Sequence, residues 1–394
     1  MTLPTHKAGS VDTSMAGSYR ASPVKYMTYG RGSTSSLPNI VSELSVTKAY
    51  IITGQSLNKK TPVIRNIESI LGSIHAGTFS NIGQHSPIAG ILEATSRVRE
   101  AGADVLISVG GGSPIDAAKS IAYHIHQKTG KWIPSIAVPT TLSVAETTQN
   151  AGYTNEYGHK VAVSNPELVP KAVIYDGDIA LHTPLRLWTS TGMRALDHAV
   201  EFQYHPLAPE IPTRRLALES IRDLFTYLPI SHQNPEDADA RQSLFLAAYS
   251  ALFPLLFSGS VGLSHSIGHA IGASYGIPHG ITSCLSLAPT VHLKADTQPE
   301  EAKLIARIVP YLGKQSTGEA KKDAHVVGDA IAELVETLGL KSSLTEYNVP
   351  PGDEEAIARR ALRGGDDHPD FKARKSKQRV FILRSVRLFV SSIC

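Results

Sequence analysis

The first part of the chain alternates short apolar runs with amphipathic ones. Four runs rich in Val, Ile and Ala predict buried strands: 48–54, 101–112, 132–141 and 171–176. Two runs between them, 62–71 and 113–126, repeat apolar residues at helical spacing. Strands that alternate with helices predict a parallel sheet with helices on both faces.

The pattern changes near Pro184, where the helical period begins to dominate. Five further runs predict helices: 214–228, 240–257, 300–312, 325–339 and 353–363. The predicted order is a polar extension, an α/β nucleotide domain, an all-helical domain and an atypical tail: 1–24, 25–183, 184–365 and 366–394.

Composition and charge narrow the functional classes. The chain is 42% hydrophobic and 19% charged, as in globular proteins, and no apolar run is long enough to predict a membrane span. The net charge is +3, but the last 23 residues hold seven Lys or Arg and no acid, so the remainder is acidic. No basic surface for nucleic acid is therefore expected. The two cysteines, Cys284 and Cys394, indicate a reducing compartment, which we expect to be the cytoplasm.

The two ends of the chain differ from the middle. Residues 1–24 lack the apolar core of a secretory signal. After 366–371 the sequence becomes a basic, β-branched run, VFILRSVRLFV, which is unlike a packed helical end. One hypothesis is an error in the exon or frame at the 3′ end of the gene, which sequencing the transcript would test. A genuine tail would need a cover, such as a partner subunit.

A glycine-rich turn joins the second predicted strand to a helix in VLISVGGGSPIDAAK. Its three glycines are Gly110, Gly111 and Gly112. Ser113 is expected to cap the helix, with Pro114 at its first position and Asp116 in its first turn. Glycines there let a phosphate approach the helix N-terminus. Because the turn is not GxGxxG, a phosphate site and a tight turn without a ligand both remain open.

Three histidines lie close together in GLSHSIGHAIGASYGIPHG. His265 and His269 are one helical turn apart, and Pro278 ends that helix so that His279 begins the next. His198 lies in a further predicted helix, 190–201. Imidazoles from separate helices can converge on zinc or iron. The alternative is a set of core or surface histidines, since the chain has 16.

Four motifs together carry a family resemblance: GGGSPIDAAK, PTT followed by a glutamate, GMRALDHAVE and HSIGHAIGASYGIPHG. In this order they resemble the iron-containing (group III) alcohol dehydrogenase family, over about residues 25–362. The resemblance implies a dehydroquinate synthase-like fold, in which an α/β NAD(P)-binding domain precedes an all-helical catalytic domain and the active site lies in the cleft between them. It also implies an NAD(P)-dependent oxidoreductase acting on a small carbonyl substrate, and a homo-oligomer. The implied cofactor-binding residues are Gly54, Gly110, Gly111, Gly112, Ser113, Asp116, Pro139, Thr140, Thr141 and Thr148.

The metal-binding pattern of the family is incomplete in this chain. Metal-dependent members hold the ion with an Asp and three His, and the His positions fall on His198, His265 and His279. The Asp position falls on Arg194, which offers no electron pair and repels a cation. Asp197 is not expected to face where Arg194 faces. A site that holds Fe²⁺ or Zn²⁺ through the three histidines and a fourth ligand remains the alternative to a metal-free site.

One branch of the family, the maleylacetate reductases, lacks the ligand Asp and works without metal. The run 160–176 and the sequence HAVE resemble that branch, which reduces a carbon–carbon double bond in a dicarboxylic oxo acid. The resemblance implies that His269 donates a proton and that Arg194 polarises the carbonyl or holds a carboxylate. A surface salt bridge from Arg194 to Glu201 or Asp197 is the structural alternative.

Other functions and one cofactor choice stay open. The alternatives are a metal-dependent alcohol or aldehyde dehydrogenase and a dehydroquinate synthase-type lyase. The stretch 53–62 holds no acid but holds Lys59 and Lys60, which favours NADPH over NADH unless these are only exposed turn lysines. Val144 and Ala145 replace a Gly-Ser step of the family, a change expected to alter the pocket beside the nicotinamide.

Overall fold

A computed structural model of the chain describes residues 19, 21–157, 160–253 and 261–362. Its strands are β1 Tyr26–Tyr29, β2 Ala49–Ile52, β3 His75–Phe79, β4 Val105–Gly110, β5 Ser135–Pro139, β6 Asn150–Thr154, β7 Lys160–Ser164 and β8 Ala172–Tyr175. Its helices are α1 Leu37–Glu43, α2 Gln55–Lys60, α3 Val63–Leu71, α4 Ile88–Glu100, α5 Gly112–Thr129, α6 Gly177–Ala180, α7 Leu185–Tyr204, α8 Arg215–Gln233, α9 Ala238–Ala251, α10 Leu263–Tyr275, α11 His279–Thr297, α12 Pro299–Ala306, α13 Ala320–Thr337 and α14 Glu354–Ala361.

Six of the strands form one parallel sheet in the order β1-β8-β5-β4-β2-β3. The four predicted strands are confirmed as β2, β4, β5 and β8. The sequence pattern missed β1 and β3, which are short and mostly half-buried. It also missed the antiparallel hairpin of β6 and β7. The predicted parallel sheet is therefore confirmed, with two additional strands beyond those that the apolar runs indicated.

Both faces of the sheet are buried, as the unbroken apolar runs predict for parallel strands. Alternate residues of β2 show the two sides. Ile51 packs with residues of α1 and α3, whereas Tyr50 and Ile52 pack with residues of α4 and α5. In β8, Val173 and Tyr175 instead join the core of the helical part. The sheet and the helices that follow it are thus joined by shared packing.

From Gly177 onwards the described residues form helices and connecting turns without strands. Helix α7 lies at the centre of this part, is buried from Trp188 to Tyr204 and packs against α8, α9 and α11. The predicted helices correspond to α8, α9, α12, α13 and α14. Three predictions fall wholly or largely outside the described residues: the end of the run 240–257, all of the 366–394 tail and most of the 1–24 extension. No described helix is long and apolar enough to cross a bilayer.

Candidate active site

The residues predicted to bind a cofactor gather at the carboxyl edge of the sheet. Gly54 follows β2, Gly110 ends β4 and is followed by the other two glycines, and Pro139 ends β5. The chain runs from β2 to β3 on one side and then returns to β4 on the other, so the strand order reverses between β2 and β4. Ligands of open α/β sheets bind outside the carboxyl ends of strands at such a position.

The glycine turn is too closely packed to take side chains at its first two glycines. Gly110 has φ +141°, and a Cβ there would lie 2.8 Å from Cγ of Pro114. A Cβ on Gly111 would lie 3.0 Å from Cγ2 of Thr141. The turn opens directly onto the N-terminus of α5, whose first N–H groups favour an anion. These residues therefore fit the pyrophosphate of a dinucleotide.

The predicted helix cap at Ser113 is wrong. Helix α5 begins one residue earlier than predicted, at Gly112, with Gly111 in the capping position, because the third glycine already takes helical geometry. Ser113 Oγ instead accepts a hydrogen bond from His85 N at 3.2 Å, and Asp116 lies beyond the first turn. Asp116 accepts from Gly152 N at 3.3 Å, which ties the helix to β6.

Two buried ionisable groups support the loop that follows β5. Lys119 Nζ donates to the carbonyl oxygens of Ala145, Thr148 and Asn150 at 2.6, 2.6 and 3.0 Å. Burial lowers the pKa of Lys119 to about 8 and raises the pKa of Glu146 to about 7. Lys119 thus joins α5 to the loop and to β6, and it holds Thr148 in place.

Replacing Lys119 with methionine should lower the free energy of unfolding by about 2–4 kcal/mol, because three buried carbonyls would lose their donor. Urea denaturation followed by circular dichroism would measure the change. Lys128→Met on the exposed end of the same helix is the matched control and should change stability by less than about 0.5 kcal/mol. Equal stability of both variants would contradict the supporting role.

The same loop contains a strained residue. Val144 has φ 52° and ψ 28°, a left-handed conformation that β-branched residues rarely adopt. It stands where the resembled family has glycine, and its side chain is fully buried in the core. The backbone at Val144 therefore keeps a conformation that favours glycine, which lowers the stability of the fold by about 1–3 kcal/mol.

A cleft of about 770 Å³ connects this edge of the sheet to the helices. Three of the predicted cofactor-binding residues line it: Gly112, Asp116 and Thr148. The other seven lie outside its lining, and their contacts with a cofactor stay predictions: Gly54, Gly110, Gly111, Ser113, Pro139, Thr140 and Thr141. All five residues predicted for catalysis or metal binding line the cleft: Arg194, His198, His265, His269 and His279.

The four histidines come from three helices and differ in exposure. His198 in α7 and His265 in α10 are buried, with ring centroids 4.4 Å apart. His269 is exposed within the cleft, and its ring centroid is 5.1 Å from that of His279 at the start of α11. Burial, together with the charges of its neighbours, lowers the pKa of His198 well below its usual value. His269 is therefore the histidine best placed to exchange protons with solvent.

Asp197 faces Arg194, contrary to the prediction. Arg194 Nη1 lies 3.4 Å from Asp197 Oδ2 and donates to Ser283 Oγ at 3.1 Å. Residues three apart on a helix are neighbours on its surface, so the pair is geometrically ordinary. Both side chains are buried, at 3% and 0% exposure, so the salt bridge is not on the surface. Burial lowers the pKa of Arg194 to about 10, which leaves it charged at neutral pH.

A carboxylate network lies behind His265. Asp197 Oδ2 accepts from Ser283 Oγ at 2.6 Å and from Ser264 Oγ at 3.1 Å. His265 Nδ1 is 3.1 Å from Glu201 Oε2, which fixes the ring with Nε2 turned away from the carboxylates. Burial alone would raise the pKa of Asp197, but His265, Arg194 and Ser283 outweigh it and lower that pKa. The spacing of 194, 197 and 201 places all three on one helix face, as the predicted alternative of a salt bridge from Arg194 requires, although the pair is buried and not on the surface.

The cleft residues do not fit the family's metal set. A charged guanidinium takes the place of a ligand carboxylate beside His198. Among the described residues, one group of side chains does have metal-ligand geometry, with donor atoms within 4.8 Å of one another. It consists of Asp197, Glu201 and His265. Its two carboxylates do not line the cleft and already accept hydrogen bonds from the protein. An ion there would not reach a substrate directly.

Comparisons with known proteins match two long stretches of the chain to one family. A family model described as iron-containing alcohol dehydrogenase matches residues 23–177. The model of the C-terminal part of the Fe-containing alcohol dehydrogenase family matches residues 188–386. The two matches together include the glycine turn, the arginine and all four histidines.

Individual relatives point to the same group. A maleylacetate reductase from Rhizobium sp. (strain MTP-10005) is 28% identical over 346 residues, which cover 86% of this chain and 89% of the relative. An NAD-dependent methanol dehydrogenase from Bacillus methanolicus is 27% identical and covers 84% and 90%. The crystal structure of maleylacetate reductase from Agrobacterium tumefaciens superposes with a TM-score of 0.78 at 25% identity and covers 95% and 97%.

Proposed function

Because the chain belongs to the iron-containing alcohol dehydrogenase family, we propose that it reduces a conjugated oxo acid of the maleylacetate type without a metal ion. The family and the relatives make it an oxidoreductase that uses a nicotinamide cofactor. The observation that carries the finer proposal is the buried Arg194–Asp197 ion pair. The family resemblance puts Arg194 at the position of the metal-ligating Asp of metal-dependent members, and the buried ion pair supports a cation at that position instead of a ligand.

In the proposed reaction Arg194 stabilises negative charge and His269 donates a proton. When bound, the reduced nicotinamide supplies a hydride to the alkene carbon farther from the oxo group. The electron pair of the double bond then moves towards the oxo oxygen, where Arg194 stabilises the negative charge. In the described part of the chain, Nε and Nη2 of Arg194 have no hydrogen-bond partner, so they can face a substrate.

His269 completes the proposed reduction. It donates a proton to the carbon next to the oxo group, so that a hydride and a proton have added across the double bond. His265 and His198 form the buried wall beside Arg194, and Glu201 orients the His265 ring. The turn at the end of β4 and the start of α5 would hold the pyrophosphate of the cofactor.

We propose NADPH as the preferred cofactor. No acid stands in 53–62, whereas an acidic residue after this strand would bind the adenosine 2′-hydroxyl. Lys59 is exposed and lies 3.4 Å from Gln55, the first residue after Gly54. A lysine so placed suits a 2′-phosphate. Comparison of KM for NADPH and NADH would decide.

The domain boundary, the oligomeric state and the cellular location are further proposals for this protein. The proposed domain boundary at residue 184 is supported by the two family models, because one ends at residue 177 and the other begins at residue 188. A homo-oligomer is supported by the family resemblance, and a reducing, cytoplasmic setting by the low cysteine content. The described cysteine, Cys284, is free and buried.

The deciding experiment follows NADPH consumption with maleylacetate and with propanal, each with and without EDTA. We expect turnover of maleylacetate that EDTA does not change. Propanal turnover that is lost with EDTA and restored by zinc or iron would support the alternative, a dehydrogenase whose ion is held by His198, His265 and His279. A lyase of the dehydroquinate synthase type would consume no NADPH.

A further inference from the structure

A second arginine lines the outer end of the cleft. Arg360 projects from α14, and its Nη1 donates to Ser274 Oγ near the end of α10. Helix α14 packs on α10 through its buried face, formed by Ile357, Ala358 and Ala361. The opposite face leaves Arg360 exposed at the cleft rim. A cation is thus fixed on the rim by a packed helix.

The guanidinium of Arg360 has two uncharged partners, Ser274 and Tyr275. Within the residues that the structure describes, no carboxylate forms an ion pair with it. The nearby Asp353 accepts from Tyr275 Oη at 2.7 Å. The neighbouring Arg359, by contrast, pairs with Glu355 at 2.8 Å on the outside of the same helix. Asp116 is the one acidic residue of the described cleft lining, and it lies at the cofactor end.

Both arginines of the cleft lie against helix α10, although Arg194 belongs to α7 and Arg360 to α14. Arg194 Nη1 is 3.4 Å from the place where a Cβ of Gly268 would stand, and Arg360 contacts Ser274. The rise of α10 between Gly268 and Ser274 is about 9 Å. The two arginines therefore lie between one and two helical turns apart along α10, and a substrate that contacts both must carry two separate acceptor groups.

We propose that Arg360 binds the carboxylate that lies on the alkene side of the substrate, three bonds from the oxo group held at Arg194. This rests on the proposed reaction, and it makes Arg360 a residue that selects 4-oxo acids over uncharged ketones and aldehydes. His269 lines the same cleft and belongs to α10, the helix that both arginines contact, so the proton donor is on the element that would hold the substrate. Arg360 contributes to substrate binding and positioning.

The test compares wild type, Arg360→Ala and the matched control Arg359→Ala. Calorimetric titration of the NADP⁺-loaded enzyme would measure affinity for 4-oxopentanoate and for its methyl ester. We expect the wild type and Arg359→Ala to bind the acid about 10-fold more tightly than the ester, and Arg360→Ala to lose this preference. In turnover, Arg360→Ala should raise KM for maleylacetate about 10-fold and change kcat by less than about 2-fold.

The two measurements separate the two proposals. If the wild type does not reduce maleylacetate but prefers the acid only when Arg360 is present, the proposed reaction fails and the carboxylate anchor stands. If Arg360→Ala keeps the preference for the acid, or if Arg359→Ala loses it equally, the anchor is wrong whatever the turnover result. Circular dichroism spectra of the three proteins would confirm equal folding.

Discussion

Replacing Arg194 with methionine should lower kcat/KM for maleylacetate about 100- to 1,000-fold. The guanidinium is the charged group at the inner end of the cleft, and removal of one such electrophilic donor typically costs that much in rate. Methionine keeps much of the volume of the side chain and removes the charge. Steady-state kinetics with NADPH in excess, with and without EDTA, would measure the loss.

The control for this variant must also remove the charge of Asp197, the ion-pair partner of Arg194. Arg194→Met alone leaves Asp197 buried without its cation, which we expect to destabilise the fold by about 3–5 kcal/mol. The double variant Arg194→Met with Asp197→Asn removes both charges and should fold better than the single variant, yet remain as inactive. A double variant with near wild-type turnover would show that Arg194 has a structural role only.

Replacing His269 with alanine should lower kcat about 100- to 10,000-fold while leaving the affinity for NADPH unchanged. The imidazole is exposed in the cleft and is the proposed source of the proton. Free imidazole added to the variant should restore part of the activity, because a small diffusible acid can enter the space that the side chain leaves.

His182 provides the comparison for that experiment. It is exposed, lies outside the cleft lining and precedes α7, so His182→Ala should keep wild-type kinetics. If His269→Ala turned over maleylacetate at the wild-type rate, another group or water would have to supply the proton. If imidazole failed to rescue a strongly impaired variant, the role of His269 would be one of packing or orientation.

Much of the fold could be predicted because its parallel strands are buried on both faces. The runs around Ile51, Ile107, Ala137 and Val173 are apolar without a break, and short unbroken apolar runs between helices are typical of buried parallel strands. Strands β1 and β3 lie at the two edges of the sheet and are half-buried, so their sequences carry no comparable signal. The hairpin of β6 and β7 likewise mixes polar and small residues.

The candidate site was predictable as a set of residues and less so as a set of contacts. The helical spacing of His265 and His269 and the proline before His279 correctly placed those side chains along one cleft. The direction of Asp197 was misjudged, because a step of three residues along a helix returns close to the starting face. Arg360 could not be found from spacing at all, since it meets Ser274 across 86 residues of chain.

The Arg194–Asp197 ion pair also affects how an active site of this kind could lose its activity in a cell. Ferrous iron is lost from a protein when oxygen oxidises it or when competing ligands remove it. A guanidinium is joined covalently to the chain, carries its charge at every physiological pH and has no accessible redox state. Under the proposed reaction, an enzyme that relies on this guanidinium would keep its activity through iron starvation and through aeration.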